Sequence, residues 1–98
     1  MEVRYKNNSI RKVCTNANAA RREYGEEMAR KIHQRIDEIS AIDTVDGLVI
    51  GRIGRCHALH GDREGQYAMD LSQPYRLIFI KIGNEIQIAE VQEIVDYH

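Results

Sequence analysis

The 98-residue chain is 43% apolar and 30% charged with a formal net charge of −1, a composition that suits one globular domain over residues 1–98. No apolar run approaches the length of a membrane span, and the opening MEVRYKNNSIRK lacks the apolar core of a secretory leader, so a cytoplasmic protein is expected. Cys14 and Cys56 form no CxxC and read as free thiols in a reducing compartment.

In chain order, EVRYK is a short strand. NNSIRKVCTN predicts a short helix with Asn8 or Ser9 as N-cap and Asn16 closing it. A long helix is predicted from about Ala17 to Ser40. Tyr24, Met28, Ile32, Ile36 and Ile39 form its apolar stripe, and Arg21, Arg22, Arg30, Lys31 and Arg35 its opposite face. Gly25 weakens it by about 1 kcal/mol. DTVDG ends the helix, and the apolar period then changes from 3.6 to 2. IGRCHAL is a strand, HGDREG a hairpin turn, QYAMDL a second strand and SQP another turn. YRLIFIKI is apolar on both faces and therefore central. GNE turns into EIQIAEVQEIVDYH, where Ile86 and Ile88 share one parity and Val91 and Val95 the other. That switch predicts a bulge near Ala89-Glu90 or a change in what covers the sheet. Helices followed by hairpins make an α+β fold: an N-terminal strand and two helices on a mostly antiparallel sheet of three to five strands.

The charge is uneven. Residues 1–35 hold nine Lys/Arg against four Asp/Glu, and residues 36–98 hold five against eleven. A basic half suits phosphates, because each one neutralised adds salt-dependent affinity. It equally suits a solvated helix face or an acidic partner, and charge alone leaves these open.

The strand region carries the polar chemistry: His57, His60, Arg76 and the terminal Asp96-Tyr97-His98. By strand parity Asp96 and His98 point one way, roughly 6.5–7 Å apart, and Tyr97 the other unless the terminus twists. His57 and His60 reach one site only if their strand ends near Leu59. Bland readings stand beside each: a strand histidine as hydrogen-bonded filler, Arg76 as a structural ion pair, residues 96–98 as a solvated tail. Cys56, His57, His60, Asp96 and His98 include zinc-ligand types, but no CxxC or HxxxH spacing occurs and Cys56 and His57 face apart. No G-x-S-x-G and no phosphate-binding glycine loop is present. The same residues do suit RNA cleavage by the substrate's own 2′-OH. That reaction needs a base, an acid and a cation for the extra phosphate charge, and no metal or other cofactor. Histidine titrates in the right range, and arginine supplies a planar fork.

The stretch HALHGDREGQYAMDLSQPYRLIFIKIGNEIQIAEVQEIVDYH resembles the HigB-type toxins of the RelE/ParE superfamily, the toxin halves of bacterial type II toxin–antitoxin pairs. The match rests on H-x-L-[K/H]-G-D-R-x-G-x-[YW], then [YW]-R-[IL]-x-F, then a terminal D-Y-H. It is close over residues 57–98, and the N-terminal half matches only as two helices after a strand. The resemblance implies an endoribonuclease that enters the ribosomal A site and cleaves translated mRNA. It implies that His57, Asp96, Tyr97 and His98 are catalytic and that His60 and Arg76 bind phosphate. His60 departs from the lysine usual there, which puts a fixed positive charge in doubt, and Pro74 alters the turn. The implied partner is a helix-turn-helix antitoxin, through which alone operator DNA is met. Same-fold alternatives are a toxin that poisons gyrase by binding, and a degenerate antitoxin-binding module.

Overall fold

The computed structural model describes residues 1–97, and His98 lies outside them. The elements run β1 (Glu2–Tyr5), α1 (Asn8–Thr15), α2 (Ala17–Tyr24), α3 (Glu26–Ala41), α4 (Val45–Ile50), β2 (His57–Ala58), β3 (Gln66–Asp70), β4 (Tyr75–Ile82) and β5 (Ile88–Asp96). The strands form one five-stranded sheet in the order β1-β5-β4-β3-β2. β1 joins β5 in parallel and the other pairings are antiparallel. This is the expected α+β layering, with the helices on one face of the sheet.

Met69, Leu77, Phe79, Ala89 and Val91 form the sheet's contribution to the core, packed with Ile10, Val13, Ala20, Met28, Ile32 and Ile39 from the helices. Tyr67 stacks on Phe79 at 5.5 Å, and Tyr24 meets Tyr75 edge-on at 5.6 Å. Both are geometries that aromatic pairs favour.

Four local readings change. First, the N-cap of α1 is Asn7, whose side chain accepts from the Ile10 N–H at 3.0 Å, rather than Asn8 or Ser9. Second, the long helix is two helices. Gly25 takes φ 90°, ψ 170°, which closes α2 through its N–H to the Arg21 carbonyl and starts α3 in a new direction. Only glycine adopts that backbone at little cost. Third, the predicted breaker DTVDG contains the start of α4. Thr44 caps it through the Gly47 N–H at 3.1 Å, and Val45 and Leu48 are wholly buried. Fourth, IGRCHAL is a strand only at His57–Ala58, because Ile53–Arg55 coil into a 3-10 turn.

The coil has a cause in α3. Arg35, which the charge pattern places on the solvent face, is buried. Its Nε donates to the Asp70 carbonyl at 2.6 Å and its Nη1 to Glu38 at 2.8 Å. Gly54 (φ 57°) lies against this side chain: a Cβ there would come within 2.6 Å of Arg35 Nε. The chain before β2 therefore wraps over a buried guanidinium and cannot run straight.

The bulge exists but sits later than Ala89-Glu90. Phe79 pairs with Val91 and Ile78 with Glu93, which leaves Gln92 as the extra residue. Val91 consequently faces the helices while Val95 does not, although both have the same parity in sequence. Ile94 takes the inward position beyond the bulge.

Candidate functional site

The sheet face away from the helices gathers much of the polar chemistry. Register places His57 opposite Ala68, Ala68 opposite Ile78, and Ile78 opposite Glu93. The adjoining row is Asp70, Arg76 and Val95. These residues share one face because alternate strand residues do. Ala68 and Ile78 are wholly buried there and give the face an apolar floor.

His57 is exposed, and its Nδ1 lies 2.8 Å from the Arg55 carbonyl. In a neutral ring that contact requires Nδ1 to carry the proton, which leaves Nε2 as an acceptor towards solvent. Arg76 is half-buried, and its guanidinium carbon stands 4.8 Å from the centre of the Tyr97 ring. The Tyr97 N–H donates to the Pro74 carbonyl at 2.9 Å, so the chain stays attached to the sheet past the end of β5. Cation–π stacking of this kind restrains a guanidinium without consuming its N–H donors.

The sequence-named residues separate as follows. His57, Arg76 and Tyr97 share the open face. Asp96 stands opposite Tyr75, in the register row that faces the helices. Tyr97 therefore joins Arg76 without a terminal twist, because the bulge at Gln92 has exchanged the parity of everything after it. His60 follows the end of β2, as the condition on its reach required; it is exposed and opens the 3-10 turn Gly61–Arg63. His98 lies outside the described residues. Cys56 is buried beside exposed His57, so the two do face apart. Burial pushes the Cys56 thiol up to about 12, which keeps it protonated at neutral pH. Among the described residues no group of three or more His, Cys, Asp or Glu converges as metal ligands do.

Sequence reasoning passed over Asp70, Arg52, Arg55 and Arg63. Asp70 is buried, and its carboxylate lies between two arginines: Oδ2 is 3.4 Å from Arg55 Nε and Oδ1 is 3.5 Å from Arg76 Nε. Arg63 Nη1 bridges Gln66 at 2.9 Å and Glu93 at 3.1 Å on the same face. A signal for Asp70 was present, since a hairpin centred on Gln73 pairs residue 70 with residue 76. Beside His57 lies a pocket of about 310 Å³ lined by Val49, Arg52, Arg55, Cys56 and His57. A larger groove of about 450 Å³ runs along α2 and α3 and contains none of the sequence-named residues. No helix among the described residues is long and apolar enough to cross a membrane.

The face thus presents an imidazole acceptor, a stacked guanidinium and a second arginine tied to the first through one carboxylate. Such a set can accept a proton, hold a phosphate and stabilise charge that grows on it.

No protein-family model matches the chain, and no curated protein matches it. Among solved structures the chain is similar to the YoeB/ParE toxin from Agrobacterium tumefaciens, with a TM-score of 0.70 and 16% identity over 100% of both chains. The likeness is one of fold, and it extends over the helices and the whole sheet.

Proposed function

We propose that the chain is the toxin of a type II toxin–antitoxin pair and that it cleaves mRNA on the translating ribosome. The observation that carries this reading is the placement of His57, Arg76 and Tyr97 on one open sheet face, with Arg76 stacked on Tyr97 at 4.8 Å. The resemblance of residues 57–98 to HigB-type toxins and the fold shared with a YoeB/ParE toxin support it independently.

In the proposed reaction the 2′-OH of the substrate loses its proton to a base as the O2′–P bond forms. The P–O5′ bond breaks, and an acid protonates the departing O5′. The products are a 2′,3′-cyclic phosphate and a 5′-OH end. His57 serves one of the two proton transfers, and the chain end at Tyr97 and His98 serves the other, with Asp96 behind them on the helix-facing side of β5. Arg76 holds the phosphate and offsets its growing charge; a planar fork suits this better than a point charge. His60, at the rim, contacts a phosphate of the same strand. No cofactor enters the scheme. A helix-turn-helix antitoxin would neutralise the chain in the cytoplasm and link it to operator DNA.

The test is primer extension on mRNA translated in a reconstituted system. His57→Ala should lower cleavage by about 10²–10⁴-fold, and Arg76→Ala by about 10²–10³-fold with ribosome binding retained. Deletion of residues 96–98 should abolish growth arrest while antitoxin binding survives. A wild-type chain that arrests growth without cutting translated mRNA would move the reading to a same-fold toxin acting by binding alone.

A further inference from the structure

The pocket beside His57 has two arginines in its wall, and both have left-handed backbones: Arg52 at φ 51° and Arg55 at φ 54°. A side-chain-bearing residue adopts that region at a cost in free energy, and such outliers gather at functional sites. The turn is fixed from both sides. Backbone bonds link Arg52 N to Val49 O and Arg55 N to Arg52 O, each at 3.1 Å, and Gly54 lies on the buried Arg35 guanidinium. Asp70 then grips Arg55 and Arg76 by Nε, one carboxylate oxygen each. That contact leaves the paired Nη groups of both forks to other acceptors. Arg52, Arg55 and Arg76 against Asp70 sum to +2, which two phosphodiesters neutralise. Arg55 is 78% exposed at its side chain and Arg76 28%, so one reaches outward while the other is seated. Val49 and Cys56 supply the apolar part of the pocket wall.

We propose that Arg52 and Arg55 form a second phosphodiester subsite beside the His57–Arg76 face, and that Asp70 is the positioning residue that sets its distance from Arg76. The inference rests on the RNA-cleaving reading and deepens it: the substrate is a single strand held at two phosphates, the reacting one at Arg76 and a neighbour at Arg55. Arginine forks favour planar bidentate contact with phosphate, and two anchored phosphates position the bond between them better than one.

The probe is a series of uncleavable 2′-O-methyl RNA tetranucleotides in which each phosphodiester in turn is an uncharged methylphosphonate. Binding is read by fluorescence anisotropy across a range of salt concentrations. With the wild-type chain, two of the linkages should each matter by about tenfold in Kd, as charged hydrogen bonds do. In Arg55→Gln one of the two should fall below about twofold, and in Arg52→Gln,Arg55→Gln the salt slope should drop by about 1–2. Asp70→Asn keeps the backbone carbonyl that receives Arg35 and should melt close to the wild type. It should nonetheless weaken the same linkage dependence. A linkage preference is a readout that a merely structural Asp70 would leave alone, whereas the salt slope moves with the lost charge alone. Linkage dependence that persists in the double variant, or a wild type that binds no member of the series, overturns the subsite. Cleavage of translated mRNA is measured in parallel. Cleavage without linkage dependence removes the subsite and leaves the nuclease reading, whereas linkage dependence without cleavage removes the nuclease reading and leaves a phosphate seat.

Discussion

Arg35 and Gly54 make a sharp energetic prediction. Arg35→Ala removes a charged donor from the Asp70 carbonyl, held at 2.6 Å, for about 1.5–3 kcal/mol. Its pair with Glu38 is partly wet, with the Glu38 side chain 29% exposed, and adds about 0–1 kcal/mol. The expected loss is roughly 1.5–4 kcal/mol. Gly54→Ala meets two costs. One is an alanine at φ 57°, about 1–2 kcal/mol. The other is a Cβ within 2.6 Å of Arg35 Nε, an overpacking cost of about 1–3 kcal/mol. In the Arg35→Ala background the second cost vanishes, because the atoms the new Cβ meets are gone. The double variant should therefore be less destabilised than the sum by about 1–3 kcal/mol. Urea unfolding of the four proteins at constant m-value measures this. Additivity within about 0.5 kcal/mol would refute the packing of Gly54 on a buried guanidinium.

Three further outcomes are expected. Asn7→Ala and Asn16→Ala each remove a side-chain cap, at 3.0 Å to the Ile10 and Ala19 N–H groups, and should each cost about 1 kcal/mol in thermal or urea unfolding. Burial raises the Cys14 and Cys56 thiols from 9.0 to about 12. The stability they confer is complete below about pH 9 and is lost as pH climbs towards 12, by up to about 1.4 kcal/mol per pH unit and thiol; the urea midpoint of Cys14→Ala,Cys56→Ala should fall less steeply above pH 9 than that of the wild type. Deleting Gln92 alone removes the bulge and keeps Tyr97 on the Arg76 face, whereas deleting Gln92 and Glu93 together slips the register by one and turns Tyr97 towards the helices; cleavage should survive the first change far better than the second.

What was legible in the sequence followed periodicity. β4 runs over Tyr75–Ile82 as its apolar run predicts, and the hairpin to β3 follows from the turn between them. The misreadings share a physical origin: single residues that redirect the backbone through tertiary contact. Gly25 looks like a weak helix position until its φ of 90° is seen to divide α2 from α3. Arg35 sits three residues after Ile32 and four before Ile39, on the buried stripe, yet its charge argues for solvent. Its buried partner, the Asp70 carbonyl, lies 35 residues away, beyond any local pattern. The alternation of β5 revealed that a bulge exists but not its place, because Gln92 is marked by cross-strand register alone. Of the candidate site, His57 and Arg76 could be named from the chain because histidine and arginine in apolar strands stand out, and Tyr97 because it belongs to the terminal D-Y-H. Arg52 and Arg55 could not, since the turn that presents them exists only over Arg35.

Asp70 ties these observations together. Its backbone carbonyl is held by Arg35 from the helix side, and its carboxylate holds Arg55 and Arg76 on the open face. The position of both cations is thus referred to α3 through one residue at the end of β3. β4 in turn carries Arg76 to Tyr97, whose face is set by the bulge at Gln92. A site assembled in this way gains its precision from buried contacts rather than from the exposed groups themselves, which are individually weak. Loosening α3 should therefore disturb phosphate contact before the sheet unfolds, because the turn of Arg52 to Arg55 is held by Arg35, Asp70 and short local backbone bonds, whereas β3, β4 and β5 are joined along their full ladders.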